Sequence, residues 1–173
     1  GNVWLWDLQT GDHELLPHGK GGRSTRLPAV RIVRFSTDGT LLASGGKDGH
    51  IVLWDVKNRR QTGLPIALEG EVSSMVFSHD GKMIASGDEY GGVDLWDVAT
   101  RTMLGRHHAY HLRVVHGVAF SADDSKLATA SSDLTVYIHN VQDIRNAEGP
   151  EVAPRALKGR AAKLFTAAPT DAA

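Results

Sequence analysis

The sequence predicts an all-β protein, an array of short antiparallel strands repeated along the chain. Two motifs recur in step: Phe35, Phe77 and Phe120, in RFSTDG, VFSHDG and AFSADD, stand 42 and 43 residues apart. Each is followed 19 residues later by Trp54, Trp96 or His139, in VLWDV, DLWDV and YIHNV. A third marker agrees, because Ser44, Ser86 and Thr129 each precede that frame position by ten. Self-similarity at a period of 20 to 50 residues is the signature of a repeat architecture. Glycine supplies 19 of 173 residues, about 11% against a usual ~7%, as many tight turns require.

The elements follow in order. Residues 1–8, with WLWDL and Trp6 in the repeat frame, read as a third strand without its first two, and 12–17 as the matching fourth. In the first complete copy, Val30, Ile32, Val33 and Phe35 make a strand that ends at Ser36-Thr37-Asp38-Gly39, where Asp-Gly favours a tight hairpin. Leu41 to Ser44 form the second strand, closed by Gly45 to Gly49. Ile51 to Val56 form the third, rich in β-branched and aromatic residues. A polar turn over 57–61 leads to a weak fourth strand through Leu64 to Leu68. The third strand is apolar on both faces, Ile51 and Leu53 one way and Val52, Trp54 and Val56 the other. A sheet buried on both faces must be sandwiched between neighbours. The predicted units are 1–20 (the end of one), 29–68, 71–108, 111–145, and 157–173 as the degenerate start of another or a disordered tail.

Composition narrows the chemistry. Nineteen basic and twenty acidic residues leave a net charge of −1, which disfavours binding of nucleic acid or anionic lipid through the overall field. Without cysteine there is no disulfide scaffold, thiolate metal site or cysteine nucleophile. No stretch approaches the roughly 20 apolar residues of a membrane helix.

LLASGGKDGHIVLWDV, MIASGDEYGGVDLWDV and KLATASSDLTVYIHNV, each preceded by an FS-x-D segment, resemble the WD-repeat β-propeller family over nearly the whole chain. The phrasing, especially LWDVATR, is similar to bacterial members. The resemblance implies three complete four-stranded blades with partial blades at both ends, about half a propeller. It also implies a hydrogen-bonded network of His, Ser/Thr, Asp and Trp in each blade. Carried over by position, the network offers Ser44, Asp48 and Trp54 with Arg26 in the histidine place, then Ser86 and Trp96 with Tyr90 in the aspartate place and no histidine in frame. The third copy offers His111, Thr129 and Asp133, with His139 replacing tryptophan. No copy is expected to hold all four.

The expected function is non-catalytic: a scaffold or sensor module of a signalling protein that binds a protein or peptide, cytoplasmic, with no membrane, metal or cofactor. The gap from each frame tryptophan to the next Phe varies (29, 23 and 24 residues), and the excess lies in the basic, glycine-rich loop 18–26. In a meander that connection shares a face with the turns holding Lys47, Glu89 and Ser132, and variable loops on a rigid scaffold carry specificity. The candidate partner-binding residues are therefore Lys20, Arg23, Arg26 and Lys47, then Glu71 and Glu89, then His108, Tyr110, Arg113 and Ser132.

An alternative is phosphate or nucleic-acid recognition by loop 18–26 with Arg31, Arg34 and Arg113. A third possibility is an inactive fragment whose uncovered blade faces bring further blades or self-association. His107, His108, His111 and His116 are the densest set of ligand-type side chains, but His111 already has a network role. Gly19 to Thr25 has the wrong order for a phosphate loop, and no Gly-x-Ser-x-Gly elbow occurs.

Overall fold

A computed structural model describes residues 1–18, 28–107 and 111–146, and these form an all-β chain with one short helix. β1 (Asn2–Trp6) and β2 (His13–Pro17) pair as a ribbon. β3 (Val30–Phe35), β4 (Leu41–Gly46) and β5 (His50–Asp55) form the first sheet, whose outer strand is split into β6 (Arg60–Gln61) and β7 (Ile66–Ala67). β8 (Val72–Phe77), β9 (Met83–Asp88), β10 (Val93–Asp97) and β11 (Met103–His107) form the second. β12 (Val115–Phe120), β13 (Lys126–Ser131) and β14 (Val136–Asn140) form the third, followed by α1 (Val141–Arg145).

Two expectations need correction. The outer strand of the first sheet occupies parts of both 57–61 and Leu64 to Leu68. Gln61 pairs with Trp54 and Ile66 with Ile51, so two extra residues must loop out between them. Gly63, at φ 60°, and Pro65, with no N–H to donate, make that break.

The third sheet has three strands among the described residues, not four, and 141–145 is helical. In the sister sheets, the carboxylates of Asp55 and Asp97 accept the N–H groups of Asn58 and Thr100 at 2.8 and 2.7 Å and fold the turn toward an outer strand. Asn140 stands in that place, and Val141 and Ile144, one helical turn apart, bury instead. Arg145 in the last turn suits the helix dipole. The C-terminal unit 157–173 lies outside the described residues.

The recurring FS-x-D segments are turn locks. The hydroxyls of Ser36, Ser78 and Ser121 donate to Asp38, Asp80 and Asp123 at 2.6, 2.7 and 2.6 Å. Each carboxylate also accepts an N–H two residues on, from Thr40, Lys82 and Ser125. These bonds favour the charged form, and they hold Asp123 down to about 2.

The sheets stack through three apolar layers. Val3 and Leu16 of the ribbon meet Leu42, Val52 and Trp54. Ile51 and Leu53, on the opposite face of β5, meet Val72, Met75, Phe77, Ile84 and Trp96. Val93 and Leu95 meet Val115, Leu127, Val141 and Ile144. β5 is thus buried on both faces, as its sequence requires. At the two ends of the stack, Trp4 and Trp6 on β1 and Val136 and Ile138 on β14 are exposed.

Candidate functional site

In the first blade the hydrogen-bonded network has all four members, and its histidine is His18, not Arg26. His18 is fully buried; its Nδ1 lies 2.7 Å from Ser44 Oγ and its Nε2 3.4 Å from Asp48 Oδ1. Trp54 Nε1 donates to the same Ser44 oxygen at 2.8 Å. Burial lowers the His18 pKa, against the pull of Asp48, and so favours the neutral ring. A carboxylate only accepts, so the single proton sits on Nε2, and the Ser44 hydroxyl donates to Nδ1. Sequence spacing missed His18 because residues 19–27 separate it from β3. Arg26 lies outside the described residues.

The third blade repeats the scheme. His111 bonds Thr129 through Nε2 at 2.9 Å and faces Asp133 and Thr135 through Nδ1, while His139 reaches Thr129 at 3.1 Å. Burial of Asp133 alone would raise its pKa. The Thr135 hydroxyl, the Leu112 and Thr135 N–H groups and His111 outweigh that, and hold the carboxyl far below its ordinary value.

The second blade differs. Trp96 donates to Ser86 at 2.9 Å, but the turn is closed by Asp88 rather than from position 90. Asp88 Oδ1 accepts the N–H groups of Tyr90 and Gly92, both at 2.8 Å. Asp94, opposite Ser86 on β10, is buried and receives Arg106 Nε at 2.8 Å and Nη2 at 3.1 Å, and Arg106 also reaches Glu69. An ion-paired Asp–Arg–Glu chain thus stands where the sister blades bring a histidine. The only signal in the sequence was a charged residue inside an apolar strand.

The candidate binding face is built from the turns 46–50, 88–92 and 131–135 and the connections entering β8 and β12. Lys47 N–H bonds Ala29 O at 2.9 Å, Leu68 N–H bonds Gly49 O at 2.7 Å and Ser132 N–H bonds Val114 O at 3.1 Å, so turns and connections are stitched together. Lys47, Glu71 and Glu89 meet: Glu71 lies 2.7 Å from Arg31 and 3.7 Å from Lys47, and its N–H donates to Glu89 at 3.3 Å. Ser132 pairs with His116 at 2.6 Å. Arg113 is exposed in the next connection. Lys20, Arg23, Arg26, His108 and Tyr110 lie outside the described residues.

Sequence reasoning missed a regular feature of this face. The first strand of each blade slips register at the same place, and the extra residues are Arg31, Ser73 and His116. A bulge re-aims a side chain. Arg31 joins the Glu71 cluster and His116 joins Ser132, while Ser73 bonds Val115 O of the third blade at 2.7 Å. Among the described residues no three His, Asp or Glu side chains are grouped to hold a metal, and no helix is long and apolar enough to cross a membrane.

The WD40 family (WD domain, G-beta repeat) matches residues 23–55, 65–97 and 102–140. A subunit of chromatin assembly factor 1 from Mus musculus is 26% identical over 140 residues, 80% of this chain and 21% of that protein. The WD repeat, SAM and U-box domain-containing protein 1 of Danio rerio is 44% identical over 63 residues, 35% of this chain and 12% of that protein. The chain therefore spans about a fifth or less of these relatives. Among solved structures, the WD40 repeats of RRP9 superpose with a TM-score of 0.64 at 25% identity, covering 70% of this chain and 38% of that one. A chain of the mitotic checkpoint complex superposes with a TM-score of 0.71 at 23% identity, covering 82% and 42%, and shares the fold. With three repeats in register and their blades built as described, the chain belongs to the WD40 repeat family.

Proposed function

We propose that the chain is a non-catalytic interaction module that binds a protein or peptide through the face described above. One contrast carries the reading. On the opposite face the three blades repeat one chemistry, the Ser36–Asp38, Ser78–Asp80 and Ser121–Asp123 locks. On the candidate face, equivalent places hold Lys47, Glu89 and Ser132 in the turns, and Arg31, Ser73 and His116 in the bulges. A constant scaffold with variable chemistry on one face is the usual form of a binding surface. The Ser44 and Ser86 hydroxyls receive indole N–H groups in buried networks, which supports a structural rather than a nucleophilic role. Arg31 is paired with Glu71, and Arg34 folds back onto Val33 O at 2.9 Å, which favours a protein over a phosphate ligand. One relative is by name a subunit of chromatin assembly factor 1, which supports a part in a larger complex. The exposed Trp4, Trp6, Val136 and Ile138 support cover by further blades or a second copy.

The test places a photo-cross-linking residue at Lys47 or Ser132, and at Lys57 on the opposite face, in extract of the producing cells. Nuclease-resistant, protease-sensitive adducts from Lys47 and Ser132 but not Lys57 are expected. Adducts from Lys57 alone, or adducts removed by nuclease, would overturn the proposal.

A further inference from the structure

One turn on the candidate face carries a side chain that its backbone disfavours. The fourth residue of the turn is left-handed in each blade: Gly49 at φ 70°, Gly91 at φ 96° and Leu134 at φ 68°. Glycine takes that conformation freely, whereas an L side chain is disfavoured by about 1 kcal/mol or more. Leu134 recovers nothing by burial, because it is 96% exposed. Strain of this kind, retained without a packing gain, points outward to a partner.

Leu134 is not isolated. Leu112, 84% exposed, donates its N–H at 2.8 Å to Asp133, the residue before Leu134. Tyr90, 69% exposed, precedes Gly91, which lies so close to the 111–113 connection that a Cβ there would sit 2.1 Å from His111 O and 3.2 Å from Arg113 O. Three large exposed side chains thus stand on adjoining loops of two blades. Glu89, Asp88 and Glu71 lie on the Tyr90 side, and the cation Arg113 stands on the Leu112 side. Glu71 is held by Arg31 and Lys47, Glu89 accepts the Glu71 N–H, and Asp133 is held by His111 and two N–H groups. Arg113, next to Leu112, is exposed and has no ion-pair partner among the described residues.

We infer that Tyr90, Leu112 and Leu134, with Arg113 beside them, are the anchoring subsite for a peptide segment that carries an apolar side chain next to a carboxylate. The inference rests on the reading of this face as the binding face and names the chemistry of its ligand. Apolar anchors fix such segments, and a neighbouring charge pair sets their sequence preference.

The test measures fluorescence anisotropy of the full chain with two labelled peptides in a Gly/Ser background, one containing Asp-Leu-Asp and the other Lys-Leu-Lys. The acidic peptide should bind about tenfold more tightly, Leu134→Gly should weaken it about tenfold, and Arg113→Glu should reverse the preference. Glycine relieves the backbone, so Leu134→Gly should leave the melting temperature unchanged or higher. That separates a lost contact from a lost fold. Equal binding of the two peptides, no binding of the acidic one, or wild-type affinity in Leu134→Gly would overturn the inference. The cross-links use Lys47 and Ser132, whose side chains are not among the four of this subsite. A negative peptide result with positive cross-links therefore overturns the subsite alone, and negative cross-links overturn the face.

Discussion

Replacing His18 with alanine should destabilise the first blade, although His18 stands far from β3 in sequence. The side chain is fully buried and joins the end of β2 to Ser44 on β4 and to the Asp48 turn. Its removal forfeits two hydrogen bonds at about 1 kcal/mol each and leaves the Ser44 hydroxyl proton without its acceptor. It also opens a cavity beside Trp54. Together these give about 2–4 kcal/mol, or about 6–12 °C in melting temperature for a chain of this size. The Arg26→Ala control should cost less than about 0.5 kcal/mol, because His18 already fills the histidine place. The assay is urea unfolding followed by tryptophan fluorescence, with and without each change, at pH 7.5 and pH 5. The folded-state pKa of His18 is lowered, so the unfolded chain takes up the proton first as pH falls. The histidine's contribution is therefore complete above its ordinary value, 6.5, and shrinks below it, and the gap between wild type and His18→Ala should narrow at pH 5. An Arg26→Ala loss as large as that of His18→Ala, or a gap that widens at pH 5, would refute the reasoning.

Three other outcomes are expected. Arg106→Met strands the buried Asp94 carboxylate and should cost about 3 kcal/mol or more by denaturant unfolding, and adding Asp94→Val should recover most of that loss. Asp124, at φ 56° where Gly39 and Gly81 stand in the sister turns, accepts His79 N at 2.9 Å, His79 Nδ1 at 2.8 Å and Asp80 N at 3.1 Å. Asp124→Ala should be the less stable variant, because it loses this tie between blades and keeps the strain, whereas Asp124→Gly keeps none and should be about 1 kcal/mol more stable than alanine in thermal melts. Acid unfolding should show a further loss below the ordinary aspartate value of 3.8, since hydrogen bonds lower the folded pKa of Asp38, Asp80 and Asp123, and stability present above 3.8 is lost as pH falls toward about 2. Ser121→Ala should move that transition to higher pH.

What the sequence revealed followed from local periodicity. The Phe, Ser/Thr and Trp spacings located the strands because each β-repeat has a fixed register between them, as Ser44 opposite Val52 and Ser86 opposite Asp94 show. Features that depend on chain excursions were hidden. His18 reaches its network across an insertion, so counting back from β3 led to Arg26. The helix at 141–145 depends on Asn140 replacing an aspartate, a one-residue change whose effect shows only when Val141 and Ile144 are buried. The bulges that present Arg31, Ser73 and His116 lie in first strands, VRIVRF, VSSMVF and VHGVAF, whose mixed polar and apolar residues show no regular alternation for a register shift to break. On the candidate face, Lys47, Glu71 and Glu89 are legible only as loop residues, and the geometry joins them: Lys47 pairs with Glu71, whose N–H donates to Glu89. Leu112 and Leu134 were overlooked because exposed leucines have no motif, and only backbone angles set Leu134 apart.

Hydrogen–deuterium exchange on the chain with and without its cross-linked protein partner tests the binding face most directly. Protection should fall on the turns 46–50, 88–92 and 131–135 and the connection 111–114, with exchange unchanged at 36–40, 78–82 and 121–125. Protection confined to the Ser–Asp turns of the opposite face would contradict it.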